Sequence, residues 1–592
     1  MKLTFLDWFV IALYFAFNIA IGLYYKARAG TNVSEFFLSG RNVPWWLAGT
    51  SMVATTFAAD TPLVVTGLVA KGGIAGNWLW WNMVAGNMLT VFFYARLWRR
   101  SGVMTDIEFS EIRYGGKPAA FLRGFRALYL GIPINCIILG WVNLAMVKIL
   151  QAVLGVNRLQ ALLIVLGLIA LTSFISTLAG LWGVLVTDLF QFVIKMGMVI
   201  ALAVFAVGAV GGMSGLKAKL LAADALRTAQ TGAHGSVLSF IPDLNSIWMP
   251  MITFFVYVGM NWWATWYPGA EPGGGGYVAQ RMFSAKDEKN SLLATLWFNI
   301  AHFAIRPWPW ILVALVALVL YPGLADPETG YLKVMVNYLP PYLRGLMVAA
   351  FAAAYMSTIA TQLNWGASYI VNDFYRRFLK KEADERHYVT ASQWATVLIT
   401  IVSIVFTFYM SSIAALWKLL LITGAGTGTV LLLRWYWWRI NAWSEVSAMA
   451  SAFVVSVALN LLGFNSDEPR DFAYMMLITV GVTTVVWLAA TFLTRPESDS
   501  ILVAFYRRTR PALAGWRPVA RMAPEVEISG DAWYNLLDWI SGCVMIYGLL
   551  FGVGKLLLGD YASGVGMSVL GLAGGAVIYW DLSRRGWSKV VD

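Results

Sequence analysis

The chain has 592 residues, 59% of them hydrophobic and only 12% charged, with 29 tryptophans and a formal net charge of +12. A soluble chain carries about a quarter of its residues as charges, so this composition describes an integral membrane protein, and the excess of Lys and Arg has no soluble basic domain that would bind nucleic acid. Two cysteines in separate apolar runs and three histidines exclude a disulfide framework and a His-rich metal cluster, and no Walker or GxSxG motif supports an ATP-driven pump or a serine hydrolase.

Apolar runs of roughly 20 residues, each able to cross about 30 Å of hydrocarbon, recur along nearly the whole chain, about 15 in all. Residues 1–44 hold an extra N-terminal helix and a loop. The lone Lys2, the acidic Asp7 and the absence of a small-residue cleavage site point to an uncleaved helix rather than a signal peptide. In the next run, SMVATTFAADTPL (51–63) places a carboxylate, Asp60, and a proline, Pro62, at membrane depth. An ionised Asp at the bilayer centre costs about 2.5–3.5 kcal/mol on insertion scales, so this span is expected to be broken and Asp60 to face a polar cavity.

A second broken span is expected at NWWATWYPGAEPGGGGYVAQR (261–281), where Pro268, Pro272 and Gly273 to Gly276 cannot sustain a helix. Unwound backbone at that depth is tolerated only where it lines a cavity or is buried in protein. Two broken spans an odd number of spans apart run in opposite senses, the pattern of a five-plus-five inverted repeat with its binding site between the breaks. The expected layout is a first repeat at 45–212, an external loop at 213–247 and a second repeat at 248–440. Two additional spans at 441–494, a polar, proline-rich cytoplasmic linker at 495–532 and two C-terminal spans with a short tail at 533–592 complete it.

Between the breaks and the end of the second repeat, Ala354, Ser357, Thr358 and Thr361 fall at i, i+3, i+4 and i+7 on one helix face. The spacing fits a close-packed small-residue interface with hydroxyls bonded to their own helix. It equally offers neutral oxygens for a hard cation, with carbonyls from the break near Ala54 completing the set. Lys195 and Lys418 are expected to snorkel to an interface. Arg306 lies roughly 20 Å into its helix, too deep for that, and is expected to pair with a carboxylate, Asp60 or Asp188. With the N-terminus outside, roughly 29 of the 43 basic residues fall in one set of alternate loops and roughly 9 in the other. That asymmetry orients a multi-pass cell-membrane protein with a cytoplasmic C-terminus, its positive charge lying against anionic headgroups.

GRNVPWW at 40–46, TDxxQ at 187–191, YVAQR at 277–281 and AYMSTIATQLN followed by NDFY resemble the sodium/solute symporter family, which contains the sodium/glucose cotransporters. The similarity runs from about Leu6 to Trp437. It implies an all-α, leucine-transporter-type fold and sodium-coupled symport of a small polar solute, a sugar favoured, by alternating access. By position it implies a sodium site from the carbonyls of Ala54, Phe57 and Ala354 and the hydroxyls of Ser357 and Thr358. A second sodium would use Asp188 and Thr361, although Ala360 stands where members with that site often have a hydroxyl; under either reading Asp188 would stabilise the cation from nearby and offer it an exit relay, the alternative being a carboxylate that ties helices together.

For the solute, Asp60, Thr61, Trp80, Asn82 and His302 occupy or lie near the family's positions, with Asn261, Trp262 and Trp263 before the second break. Trp266 and Glu271 are gate candidates, and interfacial belts offer the alternative reading for these tryptophans. Sodium and the solute are the expected partners besides the bilayer, and no obligate protein partner is evident. The alternatives are proton-coupled symport, with Asp188 carrying the proton, or sodium-coupled uptake of an amino acid or carboxylate. A membrane-embedded sensor has no output domain here, and an aspartyl hydrolase would need Asp60 and Asp188 as a coupled pair, so an enzyme is not expected.

Overall fold

The computed structural model describes residues 3–29, 39–103, 106–176, 181–231, 235–246, 248–264, 271–410, 412–511, 514–526, 530 and 532–585. Among these the fold is all-helical, and the only bridge between extended segments is Val43 with Ala285. Among the described residues ten helices are long and apolar enough to cross a membrane, eleven if one bent pair is counted as a span. Of the remaining expected spans, Phe5–Ala29 and Arg158–Ser176 are single helices, whereas the second broken run is assembled from shorter pieces.

The bent pair is Trp45–Thr56 and Thr61–Gly72, which meet at 60°. The first half-helix ends where Phe57 takes φ −88°, ψ 69°. Pro62 lies in the first turn of the second half-helix, and its missing N–H cannot extend a ladder back across the break. The second break follows the same logic: Met251–Gly259 ends, a single tight turn spans Asn261–Trp263, and the helix resumes at Gly276–Ser284. Gly273 and Gly274 take φ 82° and 94°, backbone that glycine adopts readily.

Two intervals depart from the expected layout. The interval 213–247 carries a helix, Gly212–Thr231, whose Leu216 and Leu220 are fully buried; they lie one turn apart and form an apolar stripe that is short on a low-hydropathy sequence. The 495–532 linker is also folded. Asp499–Thr509 is helical, and Trp516 stacks on Phe505 at 5.4 Å and receives the Arg113 guanidinium at 5.0 Å.

A cavity of about 1070 Å³ opens at the helix ends opposite the arginine-rich ones, lined among others by Gly67, Lys71, Lys148, Arg158, Glu328 and Lys418. Glu328 anchors its wall, accepting from Lys148 at 2.5 Å and from the backbone of Ile413 and Ala414 at 3.1 Å. Lys418, at this rim, donates to the Asp467 carbonyl at 3.2 Å.

Candidate functional site

Asp60 stands at the first break, fully buried, about 10 Å along the second half-helix from the cavity residue Gly67 by the 1.5 Å rise. Its backbone carbonyl starts that helix, accepting from Leu63 and Val64 at 3.0 Å, so the carboxylate lies at the positive end of the helix dipole. Neither carboxylate oxygen has a hydrogen-bond partner. The Trp417 indole, whose N–H is also unpartnered, lies beside it, and Arg306 and Glu328 are its charged neighbours. Buried polar atoms are nearly always bonded in a folded protein, which makes this set a candidate for binding. Thr61 is buried next to it.

Arg306 reaches the far side of the same break. It donates to Thr56 Oγ1 at 3.0 Å, to the Val53 carbonyl at 3.4 Å and to His302 Nδ1 at 2.8 Å, and lies 4.9 Å from the Trp310 ring. Arg306 faces Asp60 as a charged neighbour while donating to the break, and Asp188 is held by Ser51. A π-turn over Ile300–Ile305 makes the arrangement. Pro307 follows it, and the Arg306 amide bonds five residues back to Ala301 at 3.1 Å, which turns His302 and Arg306 to one side. Inserted π-turns of this kind recur at functional sites. Because Arg only donates, His302 accepts at Nδ1.

The remaining solute candidates divide into two contacts. Trp80 packs on His302 and Phe303, both at 5.8 Å, and donates to Asn77 at 2.9 Å. Asn82 and Asn261 both donate to the Leu79 carbonyl, at 3.0 and 3.1 Å, leaving each side-chain oxygen unpartnered. The second break is thus tied to the helix that follows the first. Trp262 and Trp263 pack edge to face at 5.2 Å, and Trp263 donates to Ala425 at 3.2 Å. A Cβ on Gly428 would overlap the Trp263 carbonyl, and one on Gly86 the Trp262 carbonyl. Gly428→Ala is therefore expected to displace the second break and reduce uptake at least tenfold while the purified protein keeps its helical circular dichroism. Trp266 lies outside the described residues.

Glu271 joins a buried ionic cluster toward the arginine-rich end. It accepts from Arg126 at 2.5 Å and Arg434 at 3.3 Å, and both arginines also reach Glu445 at 3.2 Å. Tyr114 donates to Glu445 at 2.6 Å. Asp106 holds the amide of Gly276 at 3.2 Å and the Tyr369 hydroxyl at 2.6 Å. The cluster binds the second break to the helices that carry Arg126, Arg434 and Glu445.

The residues expected at the ion site lie on elements that pack together, Trp45–Thr56 and Pro341–Ser368. Thr358 donates to the Ala354 carbonyl and Thr361 to the Ser357 carbonyl, both at 3.0 Å, so two of the hydroxyls are bonded within their own helix. Asp188 accepts from Ser51 at 2.6 Å, with Arg281 at 3.9 Å. That matches the helix-tying role, and Arg281 supplies the compensating charge. Lys195 is a correction. It does not snorkel: it is 4% exposed, and its ammonium lies 3.4 Å from the Ala54 carbonyl and 3.3 Å from that of Phe57. The carbonyls freed by the break attract it inward. Its position seven residues after Asp188, on one helix face, was the sequence signal; Trp417, one tryptophan of 29, offered none.

A model of the sodium:solute symporter family matches residues 36–453. Among curated relatives, the chain is 23% identical over 517 residues to a sodium/glucose cotransporter of Vibrio parahaemolyticus, covering 83% of this chain and 91% of that one. It is 24% identical to a sodium/myo-inositol cotransporter of Sus scrofa, covering 83% and 77%. A solved Na+-coupled sialic acid symporter in a substrate-bound outward-open state superposes with a TM-score of 0.61 at 20% identity, over 84% of this chain and 99% of that one, which shows the leucine-transporter-type fold.

Proposed function

Because the chain belongs to the sodium:solute symporter family, it couples sodium to the movement of a small solute across a membrane, and we propose that the solute is polyhydroxylated, a sugar or cyclic polyol, carried into the cell. The carrying observation is the set of buried acceptors without partners around the breaks: both oxygens of Asp60 and one each of Asn82 and Asn261. Hydroxyl groups are the donors such a set lacks, and the Trp80 and Trp263 faces suit the apolar rims of a ring. The named relatives that carry glucose and myo-inositol support the same class.

In this reading the large cavity is the external vestibule, the Glu271 cluster is the closed inner gate, and the N-terminus lies outside. Uptake into proteoliposomes under a sodium gradient, screened across sugars, polyols, amino acids and carboxylates, is the test. Accumulation of a sugar or polyol is expected. Accumulation of only an amino acid or carboxylate would replace the solute class, and uptake driven by protons in choline would replace the ion.

The ion site follows the family's positions, Ala54, Phe57, Ala354, Ser357 and Thr358. Replacing Ser357 and Thr358 together by Ala removes two of about five oxygen ligands and is expected to raise half-saturating sodium at least tenfold, about 1.4 kcal/mol. Unchanged sodium activation in that variant would remove the assignment.

A further inference from the structure

The end of the first half-helix carries the negative pole of its dipole and carbonyls released from the helical ladder. Two tethered cations meet it. Arg306 serves Val53 and Thr56, and Lys195 places its ammonium between the Ala54 and Phe57 carbonyls, 5.6 Å from the Phe57 ring centre. Ala54 and Phe57 are also two of the oxygens read above as sodium ligands, and the inference rests on that reading. We infer that the Lys195 ammonium is a built-in competitor for the coupling cation: it and sodium exclude one another at this carbonyl pair, and Lys195 sets the sodium affinity.

Three features carry this. Two positive charges cannot share the same two oxygens, least of all in a buried place with Arg306 already adjacent. At 3.3 and 3.4 Å the contacts of Lys195 exceed the roughly 2.7–2.9 Å of a strong charge-assisted hydrogen bond, so they hold the ammonium loosely. Its four-carbon stem and rotatable donors let it move without moving the helix.

It also has a destination. Asp188 lies two turns toward the N-terminus of the same helix, the direction in which helical side chains lean, and acts on Lys195 electrostatically. Asp188 is held by Ser51 and approached by Thr55 at 3.5 Å, residues of the very half-helix that ends in the ion site. Withdrawal of Lys195 toward Asp188 therefore opens the carbonyl pair and keeps the displaced charge beside a carboxylate.

Sodium binding to the purified full-length protein, titrated calorimetrically at fixed pH with choline balancing ionic strength, tests the inference. Lys195→Met, which keeps the bulk and removes the charge, is expected to lower half-saturating sodium at least tenfold. Lys195→Gln should act in the same direction and serves should the Met variant not fold, while Lys195→Arg should leave sodium binding as weak as in the native chain or weaker. Native sodium affinity in both neutral variants, or loss of binding in them, would overturn the competition. Repeating the Ser357→Ala, Thr358→Ala pair separates the two failures. If that pair still weakens sodium while the neutral variants change nothing, the site stands and the competition falls; if none of them matters, the site reading falls as well.

Discussion

Replacing Glu271 by Gln is expected to destabilise the protein by about 3–5 kcal/mol, because it leaves buried charge uncompensated, and to open the arginine-rich side of the molecule. The cluster holds two arginines and two glutamates in a closed four-membered arrangement, with Arg126 and Arg434 each touching both Glu271 and Glu445. Arg126, Arg434 and Glu445 are essentially without solvent exposure. Removing one carboxylate leaves both guanidiniums to share Glu445, and the segment carrying Glu271 is the one that joins the halves of the second broken span.

Two measurements check this. Denaturation of the detergent-solubilised variant should show the loss of stability. A cysteine placed at Thr427, which lines a small cavity with Glu271, should react faster with an impermeant thiol reagent applied from the arginine-rich side. Native stability together with unchanged labelling would mean that the cluster is not the inner seal. Because the four residues act together, the effects of Glu271→Gln and Arg434→Gln should fall short of adding, with a coupling of roughly 0.5–3 kcal/mol.

Asp60 and Pro62 were legible as a break because a charge and a missing donor at membrane depth have few other solutions, and the break lies between Thr56 and Thr61. The glycine run after Pro272 was legible for the same reason. The depth of Arg306 followed from counting residues, yet its partners did not. They include a carbonyl, a hydroxyl and an imidazole brought together by a π-turn, and a one-residue change of helical register leaves no compositional trace beyond Pro307.

Lys195 was misread because snorkelling is the usual outcome for a lysine on an apolar helix. A preference of that kind knows nothing of a neighbouring helix that ends in free carbonyls. The helix Gly212–Thr231 was missed because its stripe of Leu216 and Leu220 is narrow and set in polar sequence, which reads as loop when only membrane-length runs are sought.

The sharpest separation of fold from function concerns Asp60. Its two oxygens are buried without a close hydrogen bond, with the Trp417 indole beside them, so the folded protein bears most of their desolvation uncompensated. Asp60→Asn keeps the shape and removes the charge. It is expected to leave stability unchanged or higher, to weaken solute binding at least tenfold, and to leave sodium binding measured without solute close to native. Thr61→Ala should be milder.

The residues proposed for sodium and for the solute lie on opposite sides of one unwound stretch, Phe57 on the first half-helix side and Asp60 at the start of the second. A cation that orders this stretch pre-forms the solute pocket, and linkage makes the help reciprocal. In the native protein sodium is therefore expected to raise solute affinity by a factor of roughly 5–150, and solute to raise sodium affinity by the same factor. In Asp60→Asn both factors should collapse toward one. Calorimetry of each ligand with and without the other measures all four affinities. Equal solute affinity in sodium and in choline for the native chain would show that the two sites are not coupled through the break, and loss of sodium binding in Asp60→Asn with solute affinity preserved would move Asp60 from the solute to the ion.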